Sequence, residues 1–189
     1  MKKRREILKA KIEIYLKKEQ LFKHEEHKRF EQSFLTKSRK NLAVANILFK
    51  ISDEENTRKL LLLASAFETY DWVIIVSYYA MYTSALAALA RFGFKSKSHA
   101  GTITVLEYHY VAEKKDENKS SALEQKDISS LTKAYDLSEQ FITKLIQIKT
   151  KRETAQYDAT PSLTKEMARA ALEDADAFMT KIEEILSKT

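Results

Sequence analysis

The chain lacks cysteine altogether and has only two glycines and one proline in 189 residues. Without cysteine there are no disulfide bonds, thiolate metal sites or cysteine nucleophiles, and this composition is typical of a reducing cytoplasm. So few glycines and prolines leave little turn chemistry for β-hairpins and no room for a glycine-rich phosphate loop. Alanine, leucine, lysine, glutamate and isoleucine dominate instead, and they favour helices. We therefore predict an all-α protein with a substantial core.

The net charge of +6 is concentrated at the N-terminus. Residues 1–24 contain nine Lys or Arg and three Glu, whereas residues 25–189 contain 24 basic and 24 acidic side chains. The apolar residues of the first segment recur at helical spacing on one side, at Leu8, Ile12, Tyr15, Leu16 and Phe22. This pattern predicts a basic amphipathic helical extension over 1–24, added to a helical bundle over 25–189. The extension would pack or dimerise through its apolar side, with nucleic-acid or membrane-surface contact as the alternatives.

The longest uncharged stretch runs for 19 residues, from Trp72 to Ala90. Its length suits a membrane span, but it carries several serine, threonine and tyrosine hydroxyls and has no second span to pair with. A central helix that neighbours bury on all sides gives the same pattern. We predict such a buried helix within residues 66–92 and no membrane span. Because the N-terminus also lacks an apolar signal segment, we predict a cytoplasmic protein.

Helical periodicity and polar breaks predict four further helices. They cover roughly residues 25–50, 99–113, 123–157 and 164 to the C-terminus. The acidic cluster at 52–56 indicates a turn and a new helix start, Gly93 should end the central helix in a left-handed conformation, and Ser98 should cap the helix after it. The last helix is predicted to bury one stripe, formed by Met167, Ala171, Ala175, Phe178, Ile182 and Ile185.

Five short motifs follow one another along the helical region. They are Ser-Tyr-Tyr-Ala-Met-Tyr at 77–82, Gly93, Lys-Ser-His at 97–99, Glu-Tyr-His-Tyr-Val at 107–111 and Arg-Glu-Thr-Ala-Gln-Tyr-Asp at 152–158. In this order and spacing they resemble the HEPN family of small prokaryotic helical proteins, over about residues 34–187. The resemblance implies an up-and-down helical bundle that forms a homodimer, often through the face carrying the arginine motif.

The resemblance also implies a candidate site. Active HEPN nucleases use an arginine followed, after four to six residues, by a histidine that serves as acid or base while the arginine binds phosphate. Here Arg152 is followed by four residues and then by Tyr157. A tyrosine, with an unperturbed pKa of about 10, is a poor base at neutral pH. Arg152 and Tyr157 are therefore the catalytic candidates, although Arg152 could instead complement a helix end and Tyr157 could simply pack.

Further phosphate or nucleotide contacts are predicted at Tyr79 and at the helix start formed by Lys97, Ser98 and His99. Helix N-termini bind anions, and Tyr79 is expected to line a cleft near Arg152. The other histidines carry less information: His24 and His27 fall on a predicted exposed, charged helix, and His109 is expected to pack. No histidine or carboxylate pair has metal-ligand spacing, so no metal and no cofactor is predicted.

Three functions stay open on this basis. The first is a binding or regulatory homodimer that takes a nucleotide, RNA or a nucleotidyltransferase-type protein partner, as in toxin–antitoxin modules. The second is a metal-independent ribonuclease toxin in which Arg152 holds the scissile phosphate. The third is an oligomerising scaffold whose basic segment 1–24 recognises RNA or lipid.

Overall fold

A computed structural model describes residues 2–112 and 164–187 of the chain. The α-helices of this part are α1 (Lys2–Lys17), α2 (Glu31–Asp53), α3 (Glu55–Leu60), α4 (Tyr70–Arg91), α5 (His99–Leu106) and α6 (Lys165–Ser187). They are joined by a 3₁₀ helix (Glu25–Phe30), a π-helical segment (Glu107–Ala112) and two short strands, β1 (Leu21–Lys23) and β2 (Phe94–Ser96). The all-α prediction is confirmed, with one small sheet as an addition. The helix predicted over 123–157 lies outside the described residues.

The chain divides into two units, and the described residues of the first are 2–34, 85–112 and 181–187. In this unit α1 packs on α5 and on the π-helical segment. Leu8 and Ile12 are buried at the contact, and the Arg5 guanidinium lies 5.6 Å from the centre of the Tyr108 ring. The amphipathic interpretation of this helix therefore agrees with its packing, because the apolar side is covered and most of its lysines stay exposed.

The prediction that this first helix continues to residue 24 is wrong. It stops at Lys17, where Glu19 adopts a left-handed φ of 53°. The backbone N–H groups of Glu19 and Gln20 donate to the carbonyls of Leu16 and Tyr15 at 3.1 and 3.0 Å. This is a Schellman-type end that satisfies the last carbonyls of a helix. Phe22, predicted on the helix, consequently lies on β1.

Strands β1 and β2 form an antiparallel ribbon that pairs Leu21 with Ser96, Phe22 with Lys95, and Lys23 with Phe94. The sequence does not reveal this ribbon, because its strands are far apart in the chain and no hairpin turn connects them. Gly101 of α5 lies so close to the ribbon that a Cβ there would be 3.2 Å from Leu21 Cγ. The ribbon thus ties the end of α1 to the segment between α4 and α5.

One ion pair in the first unit joins two helix ends. Arg91, the last residue of α4, donates through Nε and Nη2 to the two carboxylate oxygens of Glu31, at 2.5 and 2.6 Å. Nη2 also donates to the carbonyl of Leu186 in α6 at 2.8 Å. A planar guanidinium is suited to such a fork. Arg91 therefore fixes the starting residue of α2 against α4 and holds the end of α6.

The described residues of the second unit are 35–84 and 164–180. Here the Ser38 hydroxyl donates to the Ala80 carbonyl at 2.7 Å, which brings α2 close to α4. At the end of α2, Arg58 Nη1 donates to the Ser52 carbonyl at 2.5 Å. The Ser52 and Thr69 hydroxyls lie 2.8 Å apart, and Thr69 precedes α4. Polar groups that a helix end would leave unsatisfied are thereby paired.

The central helix α4 begins at Tyr70 rather than at residue 66. Among the described residues it is the one helix long and apolar enough to cross a membrane by length and composition, and 78% of its most apolar window is buried inside the protein. That burial is what a core helix shows, so the predicted buried central helix is confirmed. Trp72 is an exception, with 56% of its surface exposed.

The last helix, α6, starts where the sequence predicts. The Thr164 hydroxyl accepts a hydrogen bond from the Met167 backbone N–H at 3.3 Å, and Lys165 forms an ion pair with Asp53. Of the predicted stripe, four residues are buried: Ala171, Ala175, Phe178 and Ile182. Met167 and Ile185, at its two ends, are partly exposed. The periodicity therefore identified the buried face correctly over the middle of the helix.

Candidate functional site

The arginine motif, Arg152 and Tyr157, lies outside the described residues, so its geometry stays a prediction. Tyr79, the residue expected near it, belongs to the second unit and has 38% of its surface exposed on α4. Its neighbour Tyr78 is buried at 1% exposure and stacks on Tyr82, with ring centres 5.9 Å apart. Of these two adjacent tyrosines, Tyr79 is therefore the one on the surface, where a ligand can reach it.

The predicted phosphate site at Lys97, Ser98 and His99 lies at the junction of β2 and α5 in the first unit. The Ser98 hydroxyl accepts from the Gly101 backbone N–H at 3.2 Å, which confirms Ser98 as the N-cap. The Ser98 backbone N–H donates to the Ser96 hydroxyl at 3.1 Å. Because both groups already serve the turn, the structure gives Ser98 a capping role, and Lys97 is the side chain of the three that faces a pocket.

This pocket has a volume of about 540 Å³ and is open to solvent. Its lining residues come from the end of α1, from both strands and from the 3₁₀ helix: Leu16, Leu21, Phe22, Lys23, His24, His27, Lys95 and Lys97. We call it the ribbon pocket. Among the described residues, its lining contains three lysines and two histidines and no carboxylate. All of its lining residues belong to the first unit.

The sequence-based interpretation placed His24 and His27 on an exposed, charged helix, and the structure places them at the start of and within an exposed 3₁₀ helix, where they also line the ribbon pocket. His24 is the N-cap of the 3₁₀ helix, and its Nδ1 accepts from the Glu26 backbone N–H at 3.3 Å. His27 Nδ1 lies 3.1 Å from the Gly93 carbonyl. Gly93 has a φ of 75°, as predicted for a left-handed helix end, and its carbonyl also accepts from the His24 N–H at 2.9 Å. One glycine carbonyl therefore holds both histidines.

Two lysines of the ribbon pocket lie over aromatic rings. Lys97 Nζ is 4.8 Å from the centre of the Phe22 ring, and Lys23 Nζ is 5.1 Å from that of Phe94. Cation–π contacts of this kind hold an ammonium group without neutralising it. The sequence predicted Lys97 as a phosphate contact but not the contribution of Lys23 and His24, because β1 and β2 meet through long-range strand pairing.

Other candidate groups in the described residues give no site. No cluster of three or more His, Asp or Glu in residues 2–112 and 164–187 could hold a metal ion. His109 stacks on Phe92 with ring centres 4.1 Å apart, as its predicted packing role requires. The Tyr110 hydroxyl is buried and donates to the Ala88 carbonyl at 3.2 Å. Burial raises the pKa of Tyr110 well above its usual range, so this hydroxyl stays a proton donor to the backbone.

Comparison with known proteins extends this description beyond the described residues. The HEPN domain family model matches residues 32–185. A UPF0332 protein of Archaeoglobus fulgidus is 29% identical over 119 residues, which cover 63% of this chain and 78% of that protein. No solved structure gives a significant match. The matched region includes Arg152 and Tyr157 and begins after most of the ribbon pocket.

Proposed function

Because this chain belongs to the HEPN family, whose domains support nucleotide- or RNA-related functions, we propose that it is an RNA- or nucleotide-binding HEPN protein acting as a homodimer. The observation that carries the proposal is the family match over 32–185, which spans the segment from Arg152 to Tyr157. An arginine binds phosphate through a planar fork of donors and stays charged at any physiological pH. Arg152 is therefore the residue we assign to phosphate.

Binding is favoured over cleavage by the identity of residue 157. Metal-free RNA cleavage needs a group that removes the 2′-hydroxyl proton near neutral pH. The nuclease pattern supplies a histidine at this place, and this chain has Tyr157. With an unperturbed pKa of about 10, a tyrosine is almost entirely protonated at pH 7 and can donate a hydrogen bond but not take the proton. Tyr157 is accordingly assigned to orienting the ligand.

The proposed homodimer is supported by exposed apolar side chains on the second unit. HEPN domains commonly dimerise. Leu60, Leu61 and Leu62 follow one another at the end of α3 with 85%, 52% and 94% of their surfaces exposed. Contiguous apolar surface of this kind marks interaction sites in soluble proteins. We also propose a nucleotidyltransferase-type protein as a partner, which would copurify when the neighbouring reading frame is expressed together with this chain.

The first experiment is a binding and cleavage assay with the full-length protein and a labelled structured RNA in EDTA. We expect a shift in fluorescence anisotropy without cleavage, and an elution mass about twice the 21.9 kDa of the chain. Arg152→Ala should weaken binding at least tenfold, since an arginine–phosphate contact contributes about 1.5–3 kcal/mol. Lys151→Ala is the matched control, because it removes a neighbouring positive charge outside the motif.

Three outcomes would contradict parts of this proposal. Cleavage that leaves 2′,3′-cyclic phosphate ends and is lost in Arg152→Ala would establish the ribonuclease alternative. Equal weakening by Lys151→Ala and Arg152→Ala would reduce Arg152 to one of several surface charges. Absence of any RNA or nucleotide binding by a folded wild-type protein would refute the proposed function itself.

A further inference from the structure

We propose that the ribbon pocket is a second RNA contact, which binds the backbone phosphates and one base of a single-stranded RNA segment. In this assignment Lys95 and Lys97 hold phosphate, Phe22 stacks on the base, and His24 and His27 contact the sugar–phosphate backbone. The inference rests on the proposed RNA-binding function and adds to it a site separate from Arg152.

The charge of the pocket argues for a polyanion. Lys23, Lys95 and Lys97 line it, no Asp or Glu does, and none of the three has a carboxylate within ion-pair distance among the described residues. Lysines elsewhere in the same part of the chain do have such partners: Lys28 pairs with Glu25 at 2.7 Å, and Lys59 with Glu55 at 2.7 Å. Among the described residues, the pocket therefore concentrates positive charge without a carboxylate in its lining; the nearby Glu25 and Glu26 carboxylates interact with Lys23 and His24 but belong to residues that do not line it. Concentrated positive charge of this kind is typical of phosphate sites.

The hydrogen bonds of the two histidines determine which ring nitrogens carry protons. A carbonyl only accepts, so His27 Nδ1, 3.1 Å from the Gly93 carbonyl, must carry the proton. That leaves Nε2 of neutral His27 as an acceptor. His24 has the opposite arrangement, because its Nδ1 accepts from the Glu26 N–H and its Nε2 is then the donor. With ring centres 6.1 Å apart, the pair offers one donor for a phosphate oxygen and one acceptor for a hydroxyl.

That combination fits RNA better than DNA. The 2′-hydroxyl of ribose can donate a hydrogen bond, and it is the group by which proteins distinguish RNA from DNA. A deoxyribose strand would leave the His27 acceptor without a partner. The pocket volume of about 540 Å³ also falls within the range of roughly 300–1,000 Å³ that is usual for ligand sites, which is enough for one nucleotide unit.

The strand register adds a stacking surface next to the charges. Phe22 pairs with Lys95, and directly paired residues of an antiparallel ribbon project from the same face. Lys97, the residue that follows β2, reaches the same ring, with its Nζ 4.8 Å from the ring centre. A groove that combines cations and aromatic rings binds the phosphates and the bases of a single strand together, because a protein ring can stack on a base only when that base is not paired in a duplex. The occupant we assign is therefore single-stranded RNA.

The position of the pocket makes it separable from the family site. Six of its eight lining residues lie between Leu16 and His27, before residue 32, where the HEPN match begins. The remaining two, Lys95 and Lys97, lie within the match. The pocket is thus built by adding the N-terminal segment to the family domain. Substitutions of pocket residues therefore leave the Arg152 motif intact.

The test is fluorescence anisotropy of a labelled, unstructured RNA 12-mer with the full-length protein. Removing two phosphate contacts by Lys95→Gln with Lys97→Gln should weaken binding about ten- to thirtyfold near 0.1 M salt and make the negative slope of log K against log [salt] shallower by about 1.4. Phe22→Leu, which keeps the apolar volume, should weaken binding about tenfold through lost stacking. The matched control is Lys50→Gln with Lys59→Gln, which removes the same charge elsewhere and should change affinity less than threefold.

The same assay separates this inference from the proposed function. Unchanged affinity in Lys95→Gln with Lys97→Gln, together with loss in Arg152→Ala, would overturn the pocket and leave the proposed function standing. An equally large loss in the control pair would show a general charge effect and would also overturn it. Equal affinity for a DNA 12-mer would remove the His27 assignment. Complete competition by AMP at concentrations near its own dissociation constant would replace RNA with a free nucleotide as the occupant.

Discussion

Replacing Gly93 with alanine tests the geometry on which the ribbon pocket depends. Gly93 has a φ of 75°, and an added Cβ would lie 3.0 Å from the His24 carbonyl oxygen, a backbone atom with little freedom to move. The left-handed conformation costs an L-residue about 1–2 kcal/mol, and the forced contact adds about 1–3 kcal/mol as overpacking does. Reduced freedom of the unfolded chain offsets about 0.4–1 kcal/mol of this. We expect a net loss of about 2–3 kcal/mol in the free energy of unfolding, combining these terms.

Urea denaturation and thermal melting of the full-length protein measure this change. For a chain of this size, 1 kcal/mol corresponds to about 2–4 °C, so Gly93→Ala should lower Tm by about 5–10 °C. Gly101→Ala is the control, because this glycine lies inside α5. There a Cβ would meet the Leu21 side chain at 3.2 Å, and the gain in helix propensity of about 1 kcal/mol should balance that contact. Asparagine adopts a left-handed conformation more readily than alanine but also carries a Cβ. Comparing Gly93→Asn with Gly93→Ala therefore separates the cost of the backbone conformation from the cost of the contact with the His24 carbonyl oxygen.

A loss below about 0.5 kcal/mol in Gly93→Ala would refute this reasoning, because both the backbone conformation and the close contact would then be relaxed without cost. A full loss in Gly101→Ala would be equally damaging, since glycine removal by itself would explain the result. The RNA assay adds a functional reading. The Gly93 carbonyl holds the His24 N–H at 2.9 Å and His27 Nδ1 at 3.1 Å, so the variant that stays folded should also bind the RNA 12-mer more weakly.

Two further predictions concern groups buried in the first unit. Glu31→Gln breaks a forked ion pair whose side chains are 23% and 27% exposed; partial screening by solvent reduces the cost to about 1–2 kcal/mol, and Arg91→Met in the same chain should recover part of it. No change in urea denaturation for Glu31→Gln would contradict this. Burial raises the pKa of Tyr110 in the folded state, so its contribution is intact below the unfolded pKa of about 10 and is lost above it, at about 1.4 kcal/mol per pH unit. The free energy of unfolding of Tyr110→Phe should therefore fall less than that of wild type between pH 9 and 11. Equal decreases in the two proteins would contradict the raised pKa of Tyr110.

The helical elements were largely predictable from the sequence. The uncharged stretch before Gly93 predicted α4, and the apolar stripe from Ala171 to Ile182 predicted the buried face of α6. These are local signals, since apolar periodicity and helix-end residues act within a few turns of the chain. The end of α1 was the main error. Glu19 adopts a left-handed conformation although it is not a glycine, so no residue type in the sequence indicated that α1 ends there.

The candidate sites divide in the same way. Arg152 and Tyr157 could be proposed because the family motifs are contiguous in sequence and their spacing is visible without a structure, and they stay a prediction. The ribbon pocket was predicted only in part, through Lys97, and His24 and His27 were assigned to an exposed, charged helix. Lys95 and Lys97 reach them only through strand pairing between distant segments. The sequence indicated a phosphate contact at Lys97, but the contribution of Phe22, Lys23 and the two histidines depends on this long-range pairing.

What this sequence determined by itself was the all-α composition and the buried central helix, which follow from residue type and short-range spacing, together with a resemblance to the HEPN family that the family match confirms. Only the tertiary structure decided that the basic N-terminal segment packs on α5 through Leu8 and Ile12, and that three lysines and two histidines meet in one pocket. The physical reason is the range of the interactions. Helix formation depends on neighbours within one or two turns, whereas a pocket depends on pairing and burial between segments that the linear pattern does not connect.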